Sequence, residues 1–139
     1  MVEPLGPLLG RFGIGHRVEV CSAHRQPEQL RRLVATAEKE GFAVFIAAAG
    51  LAAHLPGVVA SLTDRPVIGV PVAAGTLGGL DALLSIVQMP PGVPVATVAI
   101  GPGGAKNAAV LAARILALSD REVAARLAAY RAEMAAGGK

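Results

Sequence analysis

The chain's chemistry is concentrated in two short stretches. One is V-C-S-A-H-R-Q-P at 20–27, where His24 and Arg25 stand side by side; the other is L-A-A-H-L-P-G at 51–57, around His54. An imidazole can accept and return a proton near neutral pH. A guanidinium beside a helix N-terminus suits a phosphate. Ser22 and Ala23 are small, so a ligand can approach the backbone there. Taken alone, a His-Arg pair has a plainer reading, a histidine satisfied by backbone groups in a tight turn next to an exposed arginine. His54 has two open readings, an orienting histidine or a direct substrate contact. His16 lies ahead of the R-V-E-V run at 17–20 and is expected to be solvated. Cys21 has no activating base near it in sequence and reads as a structural thiol.

Other motifs carry less. With three histidines, one cysteine and no carboxylate–histidine pair at ligand spacing on one helix, no metal site is expected. G-P-G-G at 101–104 is neither G-x-G-x-x-G nor a P-loop, and Lys106 lacks the Ser or Thr that would follow it in the latter. It reads as a tight strand-to-helix turn. The single cysteine excludes an internal disulfide and fits a reducing compartment.

The elements that must position these residues follow from periodicity. R-V-E-V alternates polar and apolar residues and reads as a strand. Pro27 suits a first helical position, Leu30, Leu33, Val34 and Ala37 recur at helical spacing, and Gly41 is placed to end that helix. The runs at 43–49, 66–72 and 95–100 are apolar without alternation, as strands buried on both faces are. Helices are expected at 56–62, 80–88 and 105–118. Asp81 is positioned to cap the second of these, and S-D-R-E at 119–122 opens a last helix as a capping box. Strand–helix, four times over, means a parallel sheet with helices on both faces. Such sheets bind ligands at the carboxyl ends of their strands. Those ends carry His24, Arg25, Gly50 and His54.

Composition narrows the class. The 139 residues suit one domain. Hydrophobic residues make up 53% but aromatics only 3%, so the core is built of Ala, Val, Leu and Ile. Charged residues are 17%, below the usual quarter, which points to surface used up in a homo-oligomer or to helices buried on more than one side, the oligomer being favoured. The net charge of +3 is scattered, with no basic cluster and no aromatic platform, so no nucleic-acid partner is expected. The longest apolar stretch, 42–53, is too short to cross a bilayer, and the N-terminus shows no signal-peptide pattern. No membrane partner is expected, and a cytoplasmic location is.

Together the motifs resemble one family. S-A-H-R at 22–25, A-A-H-L-P-G at 52–57, V-I-G-V-P-V at 67–72, Leu80-Asp81, L-L-S-I-V-Q-M-P at 83–90, G-V-P-V-A-T-V-A-I-G at 92–101 and Asn107-Ala108 stand in the order and spacing of the N5-carboxyaminoimidazole ribonucleotide mutases. These are the bacterial-type phosphoribosylaminoimidazole carboxylase catalytic subunits of purine biosynthesis, a family of isomerases with lyase relatives. The resemblance implies a flavodoxin-like three-layer α/β sandwich, a homo-octamer, and a reaction without metal or organic cofactor. The carboxylate of the ribonucleotide would move from the exocyclic nitrogen to ring carbon C4 through free CO2. By the resemblance His24 is the general acid/base, and Ser22 and Arg25 help hold the phosphate. Gly50, Ala52, Ala53, His54 and Leu55 line the base and CO2 pocket. An ATP-dependent carboxylase supplies the substrate.

The chain is expected to be a single mutase-type domain over 1–139, short at its N-terminus, with 119–139 as the terminal helix. The family begins with a strand and a G-S-x-S-D loop that this sequence does not contain. Met1 falls where the first helix is under way, with Leu5, Leu8 and Leu9 on its core face. In a sheet of order 2-1-3-4-5 the first strand is central. Its absence is expected to leave unpaired edges at Val18 and Val44. Ala48 and Leu51 replace two usual glycines, and a Leu at 51 is expected to be strained if its φ is positive. These departures favour the alternative to a mutase, a non-catalytic oligomer-forming or ligand-binding paralogue.

Overall fold

The computed structural model describes residues 2–138, and its order is α1 (Leu5–Arg11), α2 (Pro27–Lys39), β1 (Phe45–Gly50), α3 (Leu55–Ala60), β2 (Val67–Val72), α4 (Leu80–Val87), β3 (Ala96–Thr97), α5 (Pro102–Leu116) and α6 (Arg121–Ala135). The three strands form one parallel sheet of order β1-β2-β3. Among the described residues no helix is long and apolar enough to cross a membrane.

Both faces of the sheet are covered, which is why the strands read as unbroken apolar runs. Val44, Ile46 and Ala48 pack with Ile68 and Val70 against Leu9 of α1 and Ala105, Ala108, Ala109 and Ala112 of α5. The opposite face takes Phe45, Ala47 and Val67 against Leu30 and Val34 of α2 and Val59 of α3. Farther along that face, Ala49 meets Ala82 and Ile86 of α4. A third layer of contacts ties α6 to the back of α5: Val123 and Leu127 close over Ala113 and Phe12. There the ring of Tyr130 meets Phe12 edge-on. The result is an α/β sandwich of flavodoxin type.

Small residues let these layers approach. A Cβ placed on Gly69 of β2 would stand 2.4 Å from Ile86 Cγ2, so α4 could not lie as close with any other residue there. In the first turn of α5, a Cβ on Gly104 would stand 1.6 Å from the Ala99 carbonyl oxygen. The G-P-G-G turn is thus required by backbone contact, with Pro102 in the first helical turn and Gly101 at φ 79°. Helix α2 ends as its sequence predicts. Gly41 has φ 88°, its N–H donates to the Glu38 carbonyl, and the Phe42 N–H donates to the Ala37 carbonyl.

Four expectations need correcting. R-V-E-V at 17–20 is not a strand: Val18 is 74% and Val20 93% exposed, and no ladder reaches them. Alternation alone makes no strand without a neighbour to bond. The segment is held from the side, by Arg17 donating to Glu40 at 2.5 Å and lying over the Phe42 ring. The run at 95–100 forms a ladder only at Ala96 and Thr97 and is partly exposed, because it lies at the sheet's edge. Asp81 does not cap α4. Gly79, at φ 93°, holds that position, and Asp81 Oδ1 is buried without a hydrogen-bond partner. The cap of α6 is Asp120, not Ser119: Asp120 Oδ1 accepts from the N–H groups of Glu122 and Val123.

Two substitutions test this packing. Gly104→Ala is expected to cost about 3 kcal/mol or more, since backbone must move to admit the methyl. Asp120→Ala is expected to cost about 1 kcal/mol. Urea unfolding followed by circular dichroism, with unchanged slope and lowered midpoint, checks both.

Candidate functional site

The carboxyl end of β1 is where two of the histidines, His24 and His54, meet. β1 ends at Gly50, and the chain turns through 51–54 into α3, with His54 as the residue ahead of its first turn. The other turn, 22–25, leads into α2, whose flanking residue is Gln26. Helices α2 and α3 lie on the same face of the sheet. The two turns therefore open side by side, and His24 Nε2 stands 2.6 Å from His54 Nδ1. The rings are nearly perpendicular, with centroids 4.7 Å apart. Such a contact needs an N–H on one nitrogen and a lone pair on the other. Both rings are exposed.

The 22–25 turn is fixed from within. The Gln26 N–H donates to the Ser22 carbonyl at 2.8 Å, and the Ser22 N–H donates back to Gln26 Oε1 at 3.3 Å. Ser22 Oγ accepts from the Arg25 N–H at 3.3 Å and from Arg25 Nε at 3.4 Å. Ser22 thus orients the guanidinium while leaving its outer edge to solvent. Cys21 is half-buried beside the Leu30–Val34 cluster, with its Sγ 3.8 Å from the Gln26 carbonyl oxygen. His16 is exposed and stands apart, with Nδ1 3.5 Å from the Ile14 carbonyl oxygen.

The 50–55 loop is tightly wound. The Ala53 N–H donates to the Leu51 carbonyl and the His54 N–H to the Ala52 carbonyl, both at 2.8 Å. Ala53 is buried, Ala52 is exposed, and Leu55 packs partly against the α2–α3 core. Leu51 has φ 57°, the one positive value at a non-glycine among the described residues. The strain expected of a Leu in that conformation is therefore present, at about 1 kcal/mol.

Across from this loop runs the 73–79 segment. The register pairs Gly50 with Val72, so the two loops leave the sheet as neighbours. A Cβ on Gly50 would stand 3.0 Å from Ala74 Cβ, and one on Gly75 would stand 2.7 Å from Leu51 Cδ2. Sequence reasoning singled out Leu51 but not Gly75. The signal available was a glycine placed just after a strand, and its φ of 70° came only with the structure. Two concavities, of about 420 and 450 Å³, lie elsewhere: Ala60, Thr63, Asp64 and Gly92 line both, at the amino end of β2.

Comparison with known proteins gives a consistent picture. The family model described as AIR carboxylase matches residues 1–137. The N5-carboxyaminoimidazole ribonucleotide mutase of Saccharolobus solfataricus is 58% identical over 127 residues, covering 91% of this chain and 79% of that protein. The Escherichia coli K12 mutase is 55% identical over 120 residues, 86% of this chain and 71% of that one. The crystal structure of Treponema denticola PurE superposes with a TM-score of 0.85 at 30% identity, covering 97% of this chain and 83% of that chain.

Proposed function

The chain belongs to the AIR carboxylase family, and on that premise we propose that it is an N5-carboxyaminoimidazole ribonucleotide mutase of de novo purine biosynthesis. The observation that carries the reading at the level of the site is the His24–His54 contact of 2.6 Å at the carboxyl ends of the strands. It supplies a proton-carrying imidazole with a second ring to hold it.

The reaction needs one proton delivered and one removed. As an imidazolium, His24 gives its proton to the exocyclic nitrogen. The bond from that nitrogen to the carboxylate breaks and CO2 leaves. Ring carbon C4 of the aminoimidazole then attacks CO2, and neutral His24 takes the proton that C4 sheds. Each step restores the state the other requires, so one imidazole serves both. His54, whose Nδ1 stands against His24 Nε2, orients the ring. Arg25, with Nε fixed by Ser22, presents its outer edge to the ribonucleotide phosphate. Gly50, Ala52, Ala53 and Leu55 form small apolar walls suited to CO2, which has no strong hydrogen-bonding group to satisfy.

The working unit is a homo-octamer. Its support is the stripe of Leu80, Leu84 and Val87 along α4, each about half exposed, with Leu77 just ahead of it at 62%. Such a row is costly in water and is covered by a second copy. The enzyme works in the cytoplasm on the product of an ATP-dependent carboxylase. One observation favours the other reading, a non-catalytic paralogue: the left-handed backbone of Leu51 where the family has glycine. Turnover separates the two.

His24→Ala is expected to lower kcat by about 10²- to 10⁴-fold without loss of folding, since the ring is exposed. Arg25→Ala is expected to raise KM more than it lowers kcat. Ultraviolet detection of the 4-carboxy product checks both. A folded wild-type chain with no turnover would overturn the mutase reading.

A further inference from the structure

Gln26 stands where α2 begins and does not do what that position usually asks. A residue ahead of a helix normally turns its side chain forward, onto the open N–H groups of the first turn. The Gln26 side chain caps no N–H of α2. It runs backward instead. Its Oε1 accepts from the Ser22 N–H at 3.3 Å, while the Gln26 N–H donates to the Ser22 carbonyl at 2.8 Å. Both backbone groups of Ser22 are thus held by one residue. Gln26 Nε2 donates to Gln29 Oε1 at 2.8 Å, which fixes the end of the amide that faces Ser22. The Gln26 carbonyl accepts from the N–H of Leu30, a buried residue of α2, so the grip is anchored in the helix.

A helix start that forgoes its cap gives up stability, and a local rule broken in this way marks a task elsewhere. What Gln26 holds is Ser22, and Ser22 Oγ is the acceptor for both the N–H and the Nε of Arg25. Arg25 and Gln26 are exposed, so hydrogen bonds rather than packing order them. We propose that Gln26 is a positioning residue: through Ser22 it sets the direction in which Arg25 presents its guanidinium to an anionic group of the substrate. That this group is the ribonucleotide phosphate rests on the mutase reading. Gln26 itself touches no substrate atom. An arginine already held in place loses little freedom on binding, whereas a loose one must be ordered by the substrate. His24 is held from the other side, by His54, so the chemical step is spared.

Gln26→Met keeps the reach of the side chain and removes the acceptor. With the full chain and N5-carboxyaminoimidazole ribonucleotide, KM is expected to rise several-fold while kcat stays within about twofold. In an Arg25→Ala background the same change is expected to add nothing to KM, because Arg25 is the group through which Gln26 acts. A general loosening of α2 would raise KM in both backgrounds. The same comparisons with ribose 5-phosphate, its Kd read by calorimetry, need no turnover and are expected to show the same several-fold weakening. A Gln26→Met chain with wild-type KM, or a rise in KM that persists undiminished without Arg25, overturns the positioning role. A wild-type chain that binds ribose 5-phosphate without turning over overturns the mutase reading alone. Gln26 is then judged by that affinity: a Kd equal in wild type and Gln26→Met, or no binding by either, overturns its role.

Discussion

The parallel pairing of β1 with β2 decides where everything else can be. Six residues pair in register, from Phe45 with Val67 to Gly50 with Val72. Parallel strands bring like ends together, so both following loops emerge on one side. The loop after β1 carries Leu51 and His54, and the loop after β2 carries Ala74 and Gly75. A slip of β1 by one residue would turn Phe45 and Ala47 away from the α2–α3 core and into the α1–α5 layer. The register is thus held by burial on both faces, and the site's geometry is inherited from it.

Packing without aromatics sets the second constraint. With Trp absent and only four Phe and Tyr side chains, the fold gains its buried area through closeness rather than bulk. Ala105, Ala108, Ala109 and Ala112 lay α5 almost directly on the sheet. Gly69 and Gly104 permit contacts that a single methyl would block. Interiors packed in this way have few rotamers to exchange, which keeps the βα turns in place. The turns themselves are exposed. Their order comes from short internal hydrogen bonds, as between Ser22, Arg25 and Gln26.

Much of this was legible in the sequence because the signals were local. The unbroken apolar runs at 43–49 and 66–72, Pro27 at the start of α2 and Gly41 at its end each act through their immediate neighbours. The parallel α/β class followed from their order. What misled was also local. R-V-E-V has the alternation of a strand, but a strand needs a partner that alternation does not specify. Asp81 and Ser119 are good capping residues, yet Asp81 lies inside the first turn of α4, behind Gly79, and Asp120 caps α6 in place of its neighbour. At the site, motif resemblance singled out His24 and His54. Their contact through Nε2 and Nδ1 depends on how α2 and α3 pack, and no spacing in sequence encodes it. The seat of Leu51 on Gly75 likewise arises from strand register across 24 residues of chain.

The edge-on pair of Phe12 and Tyr130 has a consequence for anyone observing this molecule by light. Tyr130 is the chain's single tyrosine, and there is no tryptophan. Its tyrosine emission therefore originates where α6 meets α1, with the Arg11 guanidinium 5.1 Å from the ring centre. That junction lies on the α1–α5 side of the sheet, whereas α2 and α3, which carry the histidine turns, lie on the other. The fluorophore is an optical reporter of whether the terminal helix is docked. Events at the histidines reach it only through the body of the sandwich.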